Sequence, residues 1–227
     1  MELPLDLGLT DKETELLQAH WALVREAHKR FNLTAVADGE AAEKHYRDCL
    51  AAREILRGLP TGSRVLDLGS GAGFPGLVLA CTCPDLAFTL VDATAKKCDF
   101  LTGAAASLGL ANVEVVCGRA EELGRGPLRE SCALVTARAV ASLRELAELA
   151  LPLLKVGGAL LAMKGAGWAE EVAEAENALS ELAGQVKESR EYTLSAGDRR
   201  CLLLIAKTGP TPDKYPRRAG LPEKRPL

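Results

Sequence analysis

Two carboxylates and a dense run of glycines are the residues in this sequence best spaced to hold a ligand. Asp67-Leu68-Gly69-Ser70-Gly71-Ala72-Gly73-Phe74-Pro75-Gly76 lies between a short apolar run from Val65 and a second one, Leu77-Val78-Leu79-Ala80. A strand passing through glycines into a helix brings bare backbone and a helix N-terminus close to a ligand. Gly71 to Gly76 fits the GxGxxG spacing of dinucleotide-binding turns, so a nicotinamide cofactor is one candidate. Against it, Pro75 removes an amide hydrogen near the first helical turn, where a pyrophosphate would need one. S-adenosylmethionine has no phosphate and does not need that donor. Asp92 ends the run Phe88-Thr89-Leu90-Val91, and a carboxylate there can accept from both hydroxyls of a ribose. It could also cap the helix that starts near Thr94, and the two roles are compatible.

The elements that must position these groups follow from periodicity. Thr10-Asp11-Lys12-Glu13 is a capping box, and Leu17, Trp21, Val24, His28 and Phe31 recur at helical spacing behind it. His20 and His28 read as helix-surface or packing residues. A second helix is expected over 40–56, with His45 and Asp48 on one face, either as a local pair or as the floor of a site. From Arg64 onward strands and helices alternate, the pattern of an α/β parallel sheet wound with helices. Strands are expected at 64–68, 87–91, 113–117, 132–136, 158–163, 185–193 and 200–206, with helices over 76–82, 95–108, 120–124, 142–154 and 168–183. The last two strands are joined by a turn at Ser195-Ala196-Gly197-Asp198, so one of the seven must run antiparallel. This divides the chain into a helical extension (1–60), a core (61–208) and a basic, proline-containing tail (209–227), read as an extended strap.

Bulk properties narrow the field. The 227 residues are 48% hydrophobic and 26% charged, ordinary material for a soluble domain with a real core. A net charge of −3 excludes a wholly basic surface, so a nucleic acid would have to be met by a local patch. The 7 cysteines form no CxxC pair, and reduced thiols in a cytoplasmic protein are expected, with no metal site. No apolar run approaches the length of a membrane span, so no membrane partner is expected.

The fourth strand bears on the reaction. Enzymes of this architecture that methylate exocyclic amines carry an Asn/Asp-Pro-Pro-aromatic signature there, whereas this chain has Val135-Thr136-Ala137-Arg138-Ala139-Val140. Carbon-5 pyrimidine methylation needs a cysteine nucleophile, usually after proline, and only the reverse order, Cys83-Pro84, occurs. What remains is attack by an atom that already owns a lone pair, so that catalysis reduces to alignment. Arg138 could position an acceptor by bidentate hydrogen bonds or line the cofactor pocket. Arg119-Ala120-Glu121 follows the third strand, where an adenine would lie; Glu121 reads equally well as a solvated helix start.

Taken in order, Asn32-Leu33-Thr34, His45-x-x-Asp48, the glycine turn, Val91-Asp92-Ala93, Arg119-Ala120-Glu121, Arg138-Ala139-Val140-Ala141, Met163-Lys164-Gly165 and Lys214-Tyr215-Pro216-Arg217-Arg218 resemble the bacterial 16S ribosomal RNA guanine-N7 methyltransferase family, also called glucose-inhibited division protein B. The resemblance implies a class I methyltransferase fold, with a mostly parallel seven-stranded sheet and N-terminal helices. It implies methyl transfer from S-adenosylmethionine to N7 of a guanine near the decoding region of 16S rRNA, naked or in the 30S subunit. By matching position, Gly69, Gly71, Phe74, Asp92, Ala93, Thr94, Ala120, Glu121 and Arg138 would contact the cofactor. Cys49 stands where the family usually has serine. A small-molecule methyltransferase, a non-catalytic adenosylmethionine- or nucleotide-binding regulator and a reductase stay open as alternatives. For RNA contact the candidates are Lys164, Arg199, Arg200, Arg217 and Arg218. Lys164, after the fifth strand, and Arg199-Arg200, before the last, lie at opposite ends of their strands if those strands are antiparallel neighbours, and Lys164 is then expected to face the pocket.

Overall fold

The computed structural model describes residues 3–227. Helix α1 (Asp11–His28) opens on the expected box: Glu13 N donates to Thr10 Oγ1 at 3.2 Å and Thr10 N to Glu13 Oε2 at 2.7 Å. Its apolar face buries Leu17, His20, Trp21 and Val24 against Tyr46, Phe74, Val78 and Cys81, which docks the N-terminal segment on the glycine turn.

The single helix expected over 40–56 is broken. Ala42–Arg47 is a π-helix, followed by the short helices α2 (Asp48–Leu50) and α3 (Arg53–Arg57). The cause is tertiary. In the wider turn Asp48 N donates to Glu43 O instead of Lys44 O, and the freed Lys44 carbonyl accepts from Arg138 at 3.0 Å. Hydrophobic spacing carries no trace of that contact.

The remainder alternates as expected: β1 (Arg64–Leu68), α4 (Gly76–Thr82), β2 (Ala87–Asp92), α5 (Ala95–Ser107), β3 (Val113–Cys117), α6 (Ala120–Leu123), β4 (Cys132–Arg138), α7 (Leu143–Ala150), β5 (Leu154–Gly165), α8 (Trp168–Glu174), α9 (Glu176–Glu181), β6 (Gly184–Thr193) and β7 (Arg199–Lys207). The helix expected to reach 154 stops at Ala150 and tightens into a 3₁₀ turn at Pro152, and the one expected over 168–183 is divided at Ala175. The seven strands lie in the order β3-β2-β1-β4-β5-β7-β6, and β7 is antiparallel to both neighbours. Strand order reverses between β1 and β4, the place where open parallel sheets receive ligands beyond their carboxyl ends.

The antiparallel neighbours β5 and β7 place Lys164 at the end of one strand and Arg200 at the start of the other, as expected, and the pairing adds where the two meet. Gly165 pairs with Arg200 and Lys164 with Cys201, so Lys164 and Arg200 stand at the same edge of the sheet. Antiparallel pairing sets the end of β5 beside the start of β7, and residues before one strand and after the other therefore meet.

The tail is packed. Arg217 donates to both oxygens of the fully buried Glu148, with Nη2–Oε2 at 2.6 Å, and its amide adds a bond to Oε1 at 2.7 Å. Arg129 holds the carbonyls of Thr211 and Tyr215, and the tail ends in α10 (Leu221–Lys224) against α7.

Gly76 shows how tightly the turn is built: a Cβ there would lie 2.4 Å from Leu90 Cδ2 and 2.6 Å from Asp67 Oδ2. Gly76→Ala is expected to lower the free energy of unfolding by about 1–3 kcal/mol. Gly103→Ala, on α5 with open space around it, should raise it by about 0.5–1 kcal/mol, and urea unfolding of the two variants checks the contrast.

Candidate active site

The carboxylate of Asp67 organises the glycine turn. Fully buried, it accepts from Gly76 N at 3.1 Å and from Thr136 Oγ1 at 2.9 Å, while Ser70 Oγ donates to the Asp67 carbonyl at 2.9 Å. Burial pushes its pKa up to about 6 against the pull of these bonds. The N-terminus of α4, where a phosphate would bind, is thus filled by a side chain of the protein itself. Other amides of the turn are also spent: Gly69 and Ser70 donate to Val91 O, Gly71 to Asp92 Oδ2, and Gly73 and Phe74 to Ser70 O.

Beyond the strand ends opens a cavity of about 340 Å³, lined by Gly69, Asp92, Ala93, Ala120, Glu121 and Val140 among others. Asp92 Oδ2 accepts from Gly71 N at 3.0 Å and Oδ1 from Thr94 N at 2.9 Å, so the carboxylate both ties the turn and caps the next helix. Each of its oxygens keeps a second lone pair for a hydroxyl. At Gly69, with φ of +71°, a Cβ would come 2.8 Å from Val140 Cγ2, so a side chain would collide with the turn that walls the cavity. The rim carries Glu121, Glu145 and Glu223 against one cation, Arg119, which is paired with Glu121 at 3.3 Å. Glu145 is pushed up by burial and by the charges of Glu223 and Glu121. Burial opposes ionisation of Glu121 too, but the Gly220 amide at 2.8 Å and Arg119 hold it below the usual carboxylate range. Such a rim repels a pyrophosphate and suits an adenosine derivative bearing positive charge.

A second cavity, about 450 Å³, lies across the β4–α7 turn: Val140 faces the first, Ala139 and Ala141 the second. Ala139 has φ of +55°, a strained conformation for a residue with a side chain. Lys44, Asp48, Arg138, Lys164, Glu171 and Arg200 bring charge to this space. Arg138 donates to Asp48 Oδ2 and to His45 Nδ1, each at 3.0 Å, and its guanidinium lies 5.2 Å from the centre of the Phe74 ring. An arginine can only donate, so His45 Nδ1 accepts, and its Nε2–H donates to Thr34 Oγ1 at 2.7 Å. His45 stacks on Phe74 at 4.2 Å and is neutral, its pKa pushed down to about 3 by burial and then by the Arg138 charge. Asp48 also accepts from Tyr192 OH at 2.6 Å. His45 and Asp48 therefore both hold Arg138, and both line the second cavity.

The sequence candidates fall into distinct groups. Gly69, Asp92, Ala93, Ala120 and Glu121 line the first cavity; Gly71 and Thr94 bind Asp92 through their amides. Phe74 and Arg138 meet across the turn, with Arg138 on the wall of the second cavity beside Lys164 and Arg200. Arg199 points away, paired with Glu191 at 2.8 Å; Arg217 is committed to Glu148; Arg218 is exposed. The sequence reading passed over Lys44, Glu145, Glu171, Tyr192 and Glu223, whose spacing carries no signal. Of the helix-surface and packing roles open to His20, the buried one holds, with polar work added: Tyr46 OH donates to its Nδ1 at 2.9 Å and its Nε2–H to Ala72 O at 2.8 Å. Among the described residues no cluster of metal-ligating side chains is present, no helix is long and apolar enough to cross a membrane, and every cysteine is unpaired.

The profile of the family described as rRNA small subunit methyltransferase G matches residues 13–200. Ribosomal RNA small subunit methyltransferase G of Symbiobacterium thermophilum is 49% identical over 221 residues, covering 94% of this chain and 89% of that protein. The protein of the same name from Leuconostoc citreum is 42% identical over 224 residues, covering 97% and 94%. Among solved structures, a SAM-dependent methyltransferase from Aquifex aeolicus superposes with a TM-score of 0.56 at 18% identity, covering 81% of this chain and 97% of that one. Cofactor-bound Rv0187 from MTB gives 0.56 at 21% identity, covering 86% and 91%. These two likenesses show the fold.

The buried histidine gives a pH signature. Burial lowers the His20 pKa to about 4 from 6.5, so its contribution to stability is complete above pH 6.5 and is lost as pH falls toward 4. Asp67, raised to about 6, acts in the opposite sense, but it is common to wild type and a His20→Gln variant and drops out of their difference. The stability gap between the two proteins should shrink by about 2 kcal/mol from pH 7.5 to pH 5, read by urea unfolding at each pH.

Proposed function

The chain belongs to the rRNA small subunit methyltransferase G family, and from that premise we propose that it methylates N7 of a guanine in 16S ribosomal RNA, with the first cavity holding the cofactor and the second the target base. It is an S-adenosylmethionine-dependent methyltransferase of small-subunit rRNA. The observation that carries the cofactor assignment is the spent turn: the amides of Gly69, Ser70, Gly71, Gly73, Phe74 and Gly76 are bonded internally and Asp67 occupies the α4 N-terminus, which leaves a pyrophosphate few donors while Asp92 offers a ribose its acceptors.

When bound, S-adenosylmethionine supplies a methyl group on a positively charged sulfur. The protein's part is placement. Asp92 receives the ribose hydroxyls while its bonds to Gly71 and Thr94 keep it from turning. Gly69 and Val140 close the pocket wall, Ala120 and Glu121 bound its adenine end, and the acidic rim favours a positively charged ligand. Arg138, fixed by Lys44 O, His45 and Asp48 and lying over Phe74, forms part of the wall of the second cavity. N7 of guanine already has a lone pair in the plane of the ring, so no side chain has to remove a proton. Both ring nitrogens of His45 are bonded, to Arg138 and to Thr34, so it keeps no free lone pair for such a role. Lys164 and Arg200 meet the RNA from the second cavity, and Arg218 from the surface.

Two measurements test this. Tritiated methyl transfer to 30S subunits, naked 16S rRNA and transfer RNA from a strain lacking the enzyme should label N7 of guanine in small-subunit RNA; label in transfer RNA alone would refute the substrate. Asp92→Ala should weaken S-adenosylhomocysteine binding by about 1–3 kcal/mol in calorimetry, the scale of a lost charged hydrogen bond.

A further inference from the structure

The second cavity carries a charge pattern finer than a general attraction for RNA. Lys164 Nζ donates to Ala141 O at 2.9 Å and to Glu171 Oε2 at 2.7 Å. An ammonium has three N–H groups, so one remains for a ligand. Glu171 Oε2 also accepts from Leu143 N at 2.8 Å, while its Oε1 has no partner among the described residues. A free donor and a free acceptor thus stand side by side, and the lysine, 8% exposed, is held in place. The two arginines in the cavity are less available: Arg138 is committed to Lys44 O, His45 and Asp48, and Arg200 lies 3.4 Å from Asp198 and 3.7 Å from Asp48.

A purine extruded from its stack is read along its Watson–Crick edge. Guanine presents the acceptor O6 next to the donor N1–H; adenine presents a donor amine next to the acceptor N1. We propose that Lys164 and Glu171 select guanine, Lys164 donating to O6 and Glu171 accepting from N1–H. The proposal rests on the guanine-N7 reading above and adds the pair that chooses the base. It also orients the reacting atom. O6 and N7 share one edge of the ring, and Lys164 is bonded to Ala141 of the dividing turn, so holding O6 there turns N7 toward the turn whose Val140 lines the cofactor cavity. An adenine in the same place would set its amine against the ammonium and its N1 lone pair against the carboxylate, leaving both protein groups unpaired.

The test uses small subunits reconstituted with 16S rRNA that carries guanosine, inosine or 2-aminopurine at the position the wild-type enzyme modifies. Inosine keeps O6 and N1–H and should be methylated nearly as well as guanosine. 2-Aminopurine lacks both and should fall by about 10- to 100-fold in kcat/KM. Glu171→Gln keeps an acceptor for Leu143 N and the shape of the side chain. It should lower kcat/KM for guanosine by about 10-fold or more, narrow the preference over 2-aminopurine, and leave S-adenosylhomocysteine affinity unchanged. If wild type methylates 2-aminopurine as well as guanosine, or if Glu171→Gln lowers all three substrates equally, the pair is a structural brace and the proposal is overturned. If wild type transfers no methyl to the guanosine particle, the functional reading fails and this proposal with it.

Discussion

A carboxylate buried without a cation in bonding distance is costly, and Asp67 is tolerated only because Gly76 N and Thr136 Oγ1 donate to it. Those two bonds join β1 to the first turn of α4 and to β4, the two strands that flank the switch in strand order. The consequence for ligands is direct. A helix N-terminus that follows a glycine turn attracts phosphate, and here the attraction is satisfied from within. The space that is left is bounded by Asp92 and by an acidic rim, which suits hydroxyls and positive charge. Cofactor choice therefore follows from one internal hydrogen-bond arrangement, with the close packing of Gly76 keeping the carboxylate in register.

Arg138 plays the complementary part on the other side of the β4–α7 turn. Its guanidinium fork reaches Lys44 O, His45 and Asp48 together, a set of acceptors that a lysine could not span in one geometry. The price is paid locally, in a π-helical segment that gives up one α-helical bond at Lys44. In return the N-terminal segment becomes part of the site: His45 lies flat on Phe74, and Tyr46 and His20 pass a hydrogen-bond chain to the Ala72 carbonyl.

The tail shows how a charge count misleads. Arg217 looks as suitable for phosphate as Arg218, yet Glu148, fully buried on α7, takes it, because an unpaired carboxylate in that position would be untenable. The same tail brings Gly220 N to Glu121 and Glu223 to the rim of the first cavity, so a distant part of the chain completes its wall.

By itself the sequence determined the alternation of strands and helices, the single antiparallel strand, the capping box of α1, and the pairing of a glycine turn with Asp92. These are local or periodic signals: hydrophobic spacing, glycine where backbone must come close, a carboxylate at a strand end. Only the tertiary structure decided that Asp67 faces the α4 N-terminus, that Lys164 and Arg200 meet at one sheet edge, that Arg138 unwinds the helix at Lys44, and that Glu171 stands beside Lys164. The meeting at the sheet edge follows from antiparallel strand pairing, and the others depend on which buried polar groups must find partners once the core closes. The second and third bring together residues far apart in the chain, which no periodicity encodes.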